Sequence, residues 1–202
     1  MIKNIIFDLG NVLVDVQYER FRKVICSKNV TEKQYDDFFL NGNYRIMGYE
    51  SGKINTGEFV STCINGLNLR MSEQDFSNAF NDMFEEITPM KELVLKLSRD
   101  KSHNLFLLSN TSPLHFEHAI KRFDFINSLH SFGLSYELKS LKPEKEIYER
   151  AINQFGVNPA ECLFIDDLAE NCASAEKFGI KTIVYDKKNH EAFVPKFEKL
   201  IH

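Results

Sequence analysis

Several residues with reactive side chains stand just after short apolar runs in this 202-residue chain. Asp8 follows the first run, and Ser109-Asn110 follows the second. Lys142 comes several residues after the third run, while Asp166-Asp167 follows the fourth, with Asn171 one helical turn beyond. Singly, each has an ordinary explanation as a turn, a cap or a solvated side chain. Jointly they supply a nucleophilic carboxylate, acids for a divalent cation, a hydroxyl–amide pair and a fixed positive charge, which phosphoryl transfer needs.

The apolar runs predict the strands that position these residues. The runs are continuous rather than alternating, as expected of strands covered on both faces of a parallel sheet. They are Ile5–Phe7, Leu105–Leu108, Phe132–Leu134, Leu163–Ile165 and Thr182–Val184. Helical segments separate the later runs: one follows Thr88-Pro89, one starts at Lys142-Pro143 and one begins near Ala169. This alternation predicts an open α/β sheet. Ligands bind at the carboxyl ends of such strands, so the polar residues are expected to meet there.

A different pattern follows the first strand. Between Val16 and Glu86 the sequence predicts helices and no strand. These helices are Tyr18–Lys28, Thr31–Leu40 (with a capping box of Thr31 and Gln34), Thr56–Asn65 and Ser72–Phe84 (capped by Ser72). The chain is therefore expected to divide into an α/β catalytic core of residues 1–15 and 88–202 and a helical cap of residues 16–87.

The polar clusters, taken in order and at this spacing, resemble the four motifs of the haloacid dehalogenase (HAD) superfamily. The motifs are Phe7-Asp8-Leu9-Gly10-Asn11-Val12, Leu108-Ser109-Asn110-Thr111, Leu141-Lys142-Pro143 and Phe164-Ile165-Asp166-Asp167-Leu168-Ala169-Glu170-Asn171. The resemblance covers essentially the whole chain. It implies an open parallel Rossmann-like sheet with helices on both faces and an inserted all-helical cap.

The resemblance also implies a function, a Mg²⁺-dependent phosphatase acting on a small phosphorylated metabolite. Asp8 would attack phosphorus and become an aspartyl-phosphate. Ser109 would hydrogen-bond a phosphoryl oxygen with support from Asn110, and both would bind substrate. Lys142 would pair with the nucleophile and with the phosphoryl group.

A metal site is implied in the same way. Asp8, the carbonyl of Gly10 and Asp167 would bind Mg²⁺, while Asp166 and Asn171 would lie beside the metal or bind its waters. Hard oxygen ligands of this kind suit Mg²⁺ and not zinc.

One position departs from the commoner family pattern. Family phosphatases usually carry a second Asp two residues after the nucleophile as the general acid, and here that residue is Gly10. Losing a general acid typically costs about 10²–10⁴ in rate. Asp15 is a candidate replacement, although a role as a loop acid at the start of the cap is favoured. The local string is similar to a sub-branch with bacterial α-D-glucose-1-phosphate phosphatases, which shares this Gly, so a sugar phosphate such as glucose 1-phosphate is the expected substrate.

Weaker candidates lie outside the motifs. In the cap loop Asn41–Tyr49, Arg45 is predicted to bind substrate and Tyr49 is a second candidate, with packing within the cap given at least equal weight. His115 and His118 have i, i+3 spacing, for which a solvent-facing helix is the favoured interpretation, with a contact of His115 to the substrate as the alternative.

Two other functions stay open at this point. One is a metal-free haloacid dehalogenase, in which Asp8 would attack carbon; the pair Asp166-Asp167 argues against it. The other is a catalytically silent phosphate-binding regulatory protein, which Gly10 supports and which the intact Asp8, Lys142 and Asp167 oppose.

The composition limits the class of partner. A formal net charge of −4 argues against binding to nucleic acid or to an anionic membrane. No segment approaches the roughly 18 apolar residues of a membrane span. The four cysteines lack paired spacing, which favours buried reduced thiols over disulfides or zinc. We therefore expect a cytoplasmic monomer or small homo-oligomer.

Overall fold

Each of the five predicted runs forms a strand in the computed structural model, which describes residues 1–41 and 48–201. The strands are β1 (Asn4–Phe7), β2 (Val14–Val16), β3 (Phe84–Glu86), β4 (Asn104–Ser109), β5 (Ser131–Leu134), β6 (Cys162–Asp166) and β7 (Lys181–Val184). Five of them make a parallel sheet in the order β5-β4-β1-β6-β7. The strand that leads to Asp8 therefore lies at the centre, between the strands that lead to Ser109 and to Asp166.

Burial on both faces explains why these strands are continuously apolar. Successive side chains of a strand point to opposite faces of the sheet. Ile5 and Phe7 of β1 accordingly belong to one hydrophobic core, whereas Ile6 packs with Phe106 and Phe164 in the second core on the other face. The predicted fold class, a parallel α/β sheet with helices on both faces, is confirmed.

The predicted helices are present in the predicted order, although the one predicted over Ser72–Phe84 ends at Asn81, and no bounds were predicted for those at Pro113–Arg122, Ser135–Leu138 and His190–Ile201. The helices are α1 (Tyr18–Cys26), α2 (Glu32–Tyr35, continued by a π-helical turn over Asp36–Leu40), α3 (Thr56–Gly66), α4 (Glu73–Asn81), α5 (Thr88–Asp100), α6 (Pro113–Arg122), α7 (Ser135–Leu138), α8 (Lys145–Phe155), α9 (Ala169–Glu176) and α10 (His190–Ile201). The capping box of Thr31 with Gln34 and the cap of Ser72 are both present. None of the described helices is long and apolar enough to cross a membrane.

The start of α8 differs from the prediction. The helix begins at Lys145 and not at Lys142-Pro143, although it ends at Gly156 as predicted. The reason lies in the second motif, because the backbone N–H of Lys142 donates to Oδ1 of Asn110 at 2.7 Å. Lys142 is thus fixed by a contact outside the helix.

A short ribbon was not expected from the sequence. β2 pairs antiparallel with β3, with Asp15 opposite Glu85, so the prediction of no strand between Val16 and Glu86 is wrong. The ribbon frames α1 to α4, which we call the helical insertion (residues 18–81). The division into core and cap at residues 15/16 and 87/88 stays a prediction.

Aromatic packing holds the helical insertion together and accounts for many of the eighteen phenylalanines. The ring of Phe21 meets Phe76 and Phe80 edge to face at 5.5 and 5.3 Å between centroids. Phe59 adds to the same cluster and also stacks on Tyr49 at 4.2 Å. The cysteines are free thiols, three of them buried.

Candidate active site

The carboxyl ends of β1, β4 and β6 bring the motif residues to one cavity of 570 Å³. Asp8 follows β1, Ser109 ends β4 and Asp167 follows β6, and all three line this cavity. Lys142 and Asn171 reach it from the segments before α8 and within α9. The sheet edge thus unites residues that are far apart in sequence, as expected for an open α/β sheet.

Lys142 is the positive charge at the floor of the cavity. Its Nζ lies 2.8 Å from Oδ1 of Asp8 and 2.7 Å from Oδ2 of Asp166, and the side chain is 1% exposed. It also donates to the carbonyl of Leu108 at 3.0 Å. Burial alone would lower the pKa of Lys142, but the two carboxylates outweigh it and raise the pKa. The ammonium is therefore held charged at a fixed place.

Asn110 holds the backbone of Lys142. Its Nδ2 donates to the Lys142 carbonyl at 2.9 Å, and its Oδ1 accepts from the Lys142 N–H at 2.7 Å. Both ends of the amide are thereby engaged with one residue. The side chain of Asn110 serves to position Lys142 in this structure.

Asp8 sits in an environment that favours its neutral form. Burial raises its pKa to about 7; the neighbouring Lys142 acts to lower the pKa and Asp166 to raise it. The backbone N–H of Leu9 donates to Oδ1 at 2.7 Å. A nucleophilic Asp8 therefore needs further positive charge to be fully ionised near neutral pH.

An acid cluster can supply a site for that charge. Asp8, Asp166 and Asp167 each place one carboxylate oxygen within 4.8 Å of the others. The ammonium of Lys142 contacts two of these acids, and a divalent cation would supply the further positive charge that ionisation of all three requires. Burial also raises the pKa of Asp167. The carboxylate oxygens are ligands that Mg²⁺ prefers.

Asn171 supports the same conclusion. Its Nδ2 donates to Oδ1 of Asp166 at 2.9 Å, which turns the amide oxygen the other way. That oxygen is buried and has no hydrogen-bond partner among the described residues, although Asn171 lines the cavity. A buried acceptor without a donor is costly, and a water bound to a metal ion would satisfy it.

Gly10, where the general acid is missing, and Asp15, its candidate replacement, have different surroundings in the structure. Gly10 lines the cavity, and its role as a metal ligand stays a prediction. Asp15 does not belong to the described lining of the cavity, and its carboxylate is ion-paired with Lys187 and accepts from Gln17. Lys187, in the loop after β7, escaped the sequence analysis.

The two ring-bearing candidates outside the motifs, His115 and Tyr49, are both buried. His115 is not on a solvent-facing surface, because Phe80 of the helical insertion covers its ring, and it lines the cavity. Tyr49 is fully buried, hydrogen-bonded to Thr56 at 3.0 Å, and packs inside the protein. Arg45, the predicted substrate-binding residue of the cap loop, lies outside the described residues.

The outer wall of the cavity is aromatic. The helical insertion and β3 contribute most of this wall, opposite the polar floor. Its rings are Tyr18, Phe21, Tyr35, Phe39, Phe80 and Phe84. The described lining of the cavity thus combines polar side chains from the strand ends with aromatic rings from the helical insertion and β3.

Known proteins are similar to this chain in sequence and in fold. Residues 2–179 match the family described as haloacid dehalogenase-like hydrolase. The chain is 28% identical to a D-ribitol-5-phosphate phosphatase of Bacteroides thetaiotaomicron, over 90% of this chain and 91% of the relative. A HAD-family enzyme of the same organism, crystallised with magnesium and inorganic phosphate, superposes with a TM-score of 0.80 and 30% identity, covering 91% of this chain and 93% of its own.

A third similar protein extends the match to the full length. A predicted HAD-like hydrolase from Porphyromonas gingivalis has a TM-score of 0.81 at 27% identity, covering 100% of this chain and 98% of its own. Magnesium, the metal predicted from the sequence, is the one bound in the Bacteroides enzyme. The family predicted from the four motifs is confirmed, and the chain belongs to the haloacid dehalogenase-like hydrolases.

Proposed function

We propose that this chain is a Mg²⁺-dependent phosphatase that hydrolyses a small phosphorylated metabolite through an aspartyl-phosphate on Asp8. The observation that carries the proposal is the setting of Asp8. It lies on the polar floor of a cavity, ion-paired with a buried Lys142 and within 4.8 Å of two further acids. A nucleophile, a fixed cation and a metal-binding cluster at one point are the groups that phosphoryl transfer requires.

In the first step, an oxygen of Asp8 attacks phosphorus while the bond from phosphorus to the ester oxygen breaks. The N–H of Leu9 and the ammonium of Lys142 both reach Oδ1, so we assign the attack to Oδ2. Lys142 and the hydroxyl of Ser109 would stabilise charge on the phosphoryl oxygens. The departing oxygen takes its proton from solvent, because Gly10 carries none.

In the second step, water attacks the phosphorus of the aspartyl-phosphate. The bond from phosphorus to Asp8 breaks, inorganic phosphate leaves with the protons of the water, and Asp8 returns as a carboxylate. Asn110 keeps Lys142 in place through both steps by its two hydrogen bonds to the Lys142 backbone.

The metal would be held by Asp8, the carbonyl of Gly10 and Asp167, with Asp166 and Asn171 beside it. When bound, Mg²⁺ neutralises charge on the phosphoryl group and lowers the pKa of Asp8. Asp166 also fixes Lys142, and its second oxygen accepts from the N–H of Leu168 at 2.9 Å. This arrangement assigns Asp166 mainly to positioning.

For the substrate, we propose a phosphate whose leaving group is a ring, such as glucose 1-phosphate. The aromatic residues that line the cavity make part of it apolar, which suits the C–H face of a sugar ring or an aryl ring. An anomeric oxygen also leaves more easily without an acid at Gly10. The relative named for D-ribitol 5-phosphate makes that open-chain phosphate the natural competitor in a substrate panel.

Turnover of p-nitrophenyl phosphate tests the reaction class. We expect hydrolysis that requires Mg²⁺ and stops with EDTA. Release of chloride from 2-chloropropionate without metal would instead indicate a dehalogenase, and no turnover together with phosphate binding would indicate a silent regulatory protein. Glucose 1-phosphate and D-ribitol 5-phosphate are then compared by kcat/KM, and a preference for the open-chain phosphate would contradict the proposed substrate.

A further inference from the structure

A chain of polar contacts joins Lys187 to the acid cluster. Nζ of Lys187 donates to Oδ1 of Asn11 at 2.8 Å, and Nδ2 of Asn11 donates to Oδ2 of Asp167 at 3.1 Å. Asn11 has a left-handed backbone with φ of 57°, a conformation that Asn adopts more readily than most residues. The side chain is thereby directed between the two charged groups.

The chemistry of these groups fixes the orientation of the amide. An ammonium only donates hydrogen bonds and a carboxylate only accepts them, whereas an Asn side chain has one end of each kind. Lys187 therefore engages the oxygen of Asn11, and the NH₂ end is left to face Asp167. Without Lys187, only the hydrogen bond to Asp167 would orient the Asn11 amide, and the amide oxygen would lose its partner.

The position of Lys187 is itself fixed by an ion pair with Asp15 in β2. The side chains of Lys187 and Asp15 are 31% and 24% exposed, so the ion pair is largely shielded from solvent. Asp15 also accepts from Nε2 of Gln17. Asp15, the candidate replacement for the general acid, thus holds Lys187 in place through an ion pair.

We propose that Lys187 and Asn11 are positioning residues for Asp167. Lys187 orients the amide of Asn11, and Asn11 holds the carboxylate of Asp167 in the place where it binds the metal. The inference rests on the proposed function, since it takes Asp167 as a Mg²⁺ ligand. Residues that hydrogen-bond a metal ligand in this way commonly contribute about 10- to 100-fold to metal affinity.

A simpler, purely electrostatic account predicts the opposite change in the Kd for Mg²⁺ when Lys187 is removed. If Lys187 acts only as a positive charge near the acid cluster, it repels a cation, and its removal should tighten Mg²⁺ binding. If Lys187 positions Asp167, its removal should weaken Mg²⁺ binding. The direction of the change in Kd therefore separates the two.

The test is a calorimetric titration of MgCl₂ into the full chain. We expect Lys187→Met to raise the Kd for Mg²⁺ by about 10- to 100-fold and Lys187→Arg to keep most of the affinity. Lys188→Met, which removes the same charge from the exposed neighbour, is the matched control and should leave Kd unchanged. An unchanged or lower Kd in Lys187→Met overturns the proposal.

Asn11→Gly gives an independent arm, because Gly accepts the positive φ and no charge is altered. It should weaken Mg²⁺ binding as much as Lys187→Met does, and the double variant should be no worse than Asn11→Gly alone. Fully additive effects would show that Lys187 does not act through Asn11. Failure of the parent itself to bind Mg²⁺ would overturn the proposed function, whereas a parent that binds normally beside unaffected variants overturns only the positioning roles.

Discussion

Nε2 of His115 lies 3.1 Å from the carbonyl oxygen of Phe80, and the two rings stack at 3.9 Å between centroids. Because a carbonyl only accepts, Nε2 carries the proton. His115 belongs to α6, which follows β4, and Phe80 belongs to α4, so this contact joins the helical insertion to a helix outside it at the wall of the cavity. Burial lowers the pKa of His115 to about 3, with the Phe80 hydrogen bond opposing the shift and His118 adding to it.

This contact predicts a pH-dependent stability. The His115 pKa is 6.5 as a reference and about 3 when folded, so the unfolded chain binds the extra proton between these values. The contribution of neutral, buried His115 to the free energy of unfolding is complete above about pH 6.5. It is lost as the pH falls, by at most about 1.4 kcal/mol per pH unit. His115→Phe should reduce this dependence while being less stable at about pH 7.5, because the Phe80 carbonyl loses its donor. Urea unfolding of both proteins at about pH 7.5 and 5.5 checks this; equal pH dependence would contradict it.

Replacing the nucleophile should abolish turnover. Asp8→Asn keeps the size of the side chain but provides an amide that does not attack phosphorus. The parent should be trapped by BeF₃⁻ with Mg²⁺, as seen by protection from thermal unfolding, and the variant should not. Appreciable residual hydrolysis in Asp8→Asn would mean that water attacks directly and that Asp8 only binds the metal.

The same variant should reveal the free-energy cost of ionising the buried carboxylate of Asp8. Its folded pKa of about 7 lies above the reference value of 3.8, so the folded protein binds the extra proton. Stability from Asp8 is complete below about pH 4 and is lost as the pH rises through about 7. In EDTA, the unfolding free energy of Asp8→Asn relative to the parent should therefore increase from about pH 5 to pH 8. A constant difference would show that Asp8 is ionised throughout.

Gly10 is the position at which to restore an acid. A Cβ there would meet Cγ2 of Val16 at 3.3 Å, and the φ of Gly10 lies outside the left-handed region, so a side chain needs only a small shift of Val16. The parent should hydrolyse aryl and anomeric phosphates far faster than primary-alcohol phosphates, and Gly10→Asp should narrow that gap. Gly10→Ala controls for the added Cβ. Equal rates in the parent on good and poor leaving groups, with chemistry rate-limiting, would show that another group supplies the proton.

The central sheet and the polar floor of the cavity were predictable because their physical causes are local. A strand buried on both faces must be apolar throughout, as in Ile5–Phe7, and its carboxyl end must meet those of its neighbours. The ribbon of β2 and β3 was not predicted because β3 has three residues and only Phe84 is buried. One buried residue gives no recognisable hydrophobic pattern in the sequence.

Burial of His115 depends on a helix some thirty-five residues earlier, which i, i+3 spacing cannot report. Lys187 was overlooked as one of two adjacent lysines in a loop, although it follows β7 at the edge where the other site residues were found. The roles of the motif residues came from the family resemblance. Their spacing alone does not distinguish a catalytic role from a structural one for any single residue.

The place of β1 in the sheet has a consequence for how activity is acquired. This strand leaves the ribosome before either of its neighbours, and its second edge is covered only when β6 arrives at Cys162–Asp166. Within each helix of the helical insertion, by contrast, the backbone hydrogen bonds join residues close in sequence, and such local contacts form fast. In a refolding experiment, helical signal should therefore recover ahead of catalysis, and a nascent chain halted before Asp166 would carry a nucleophile with no acid cluster around it.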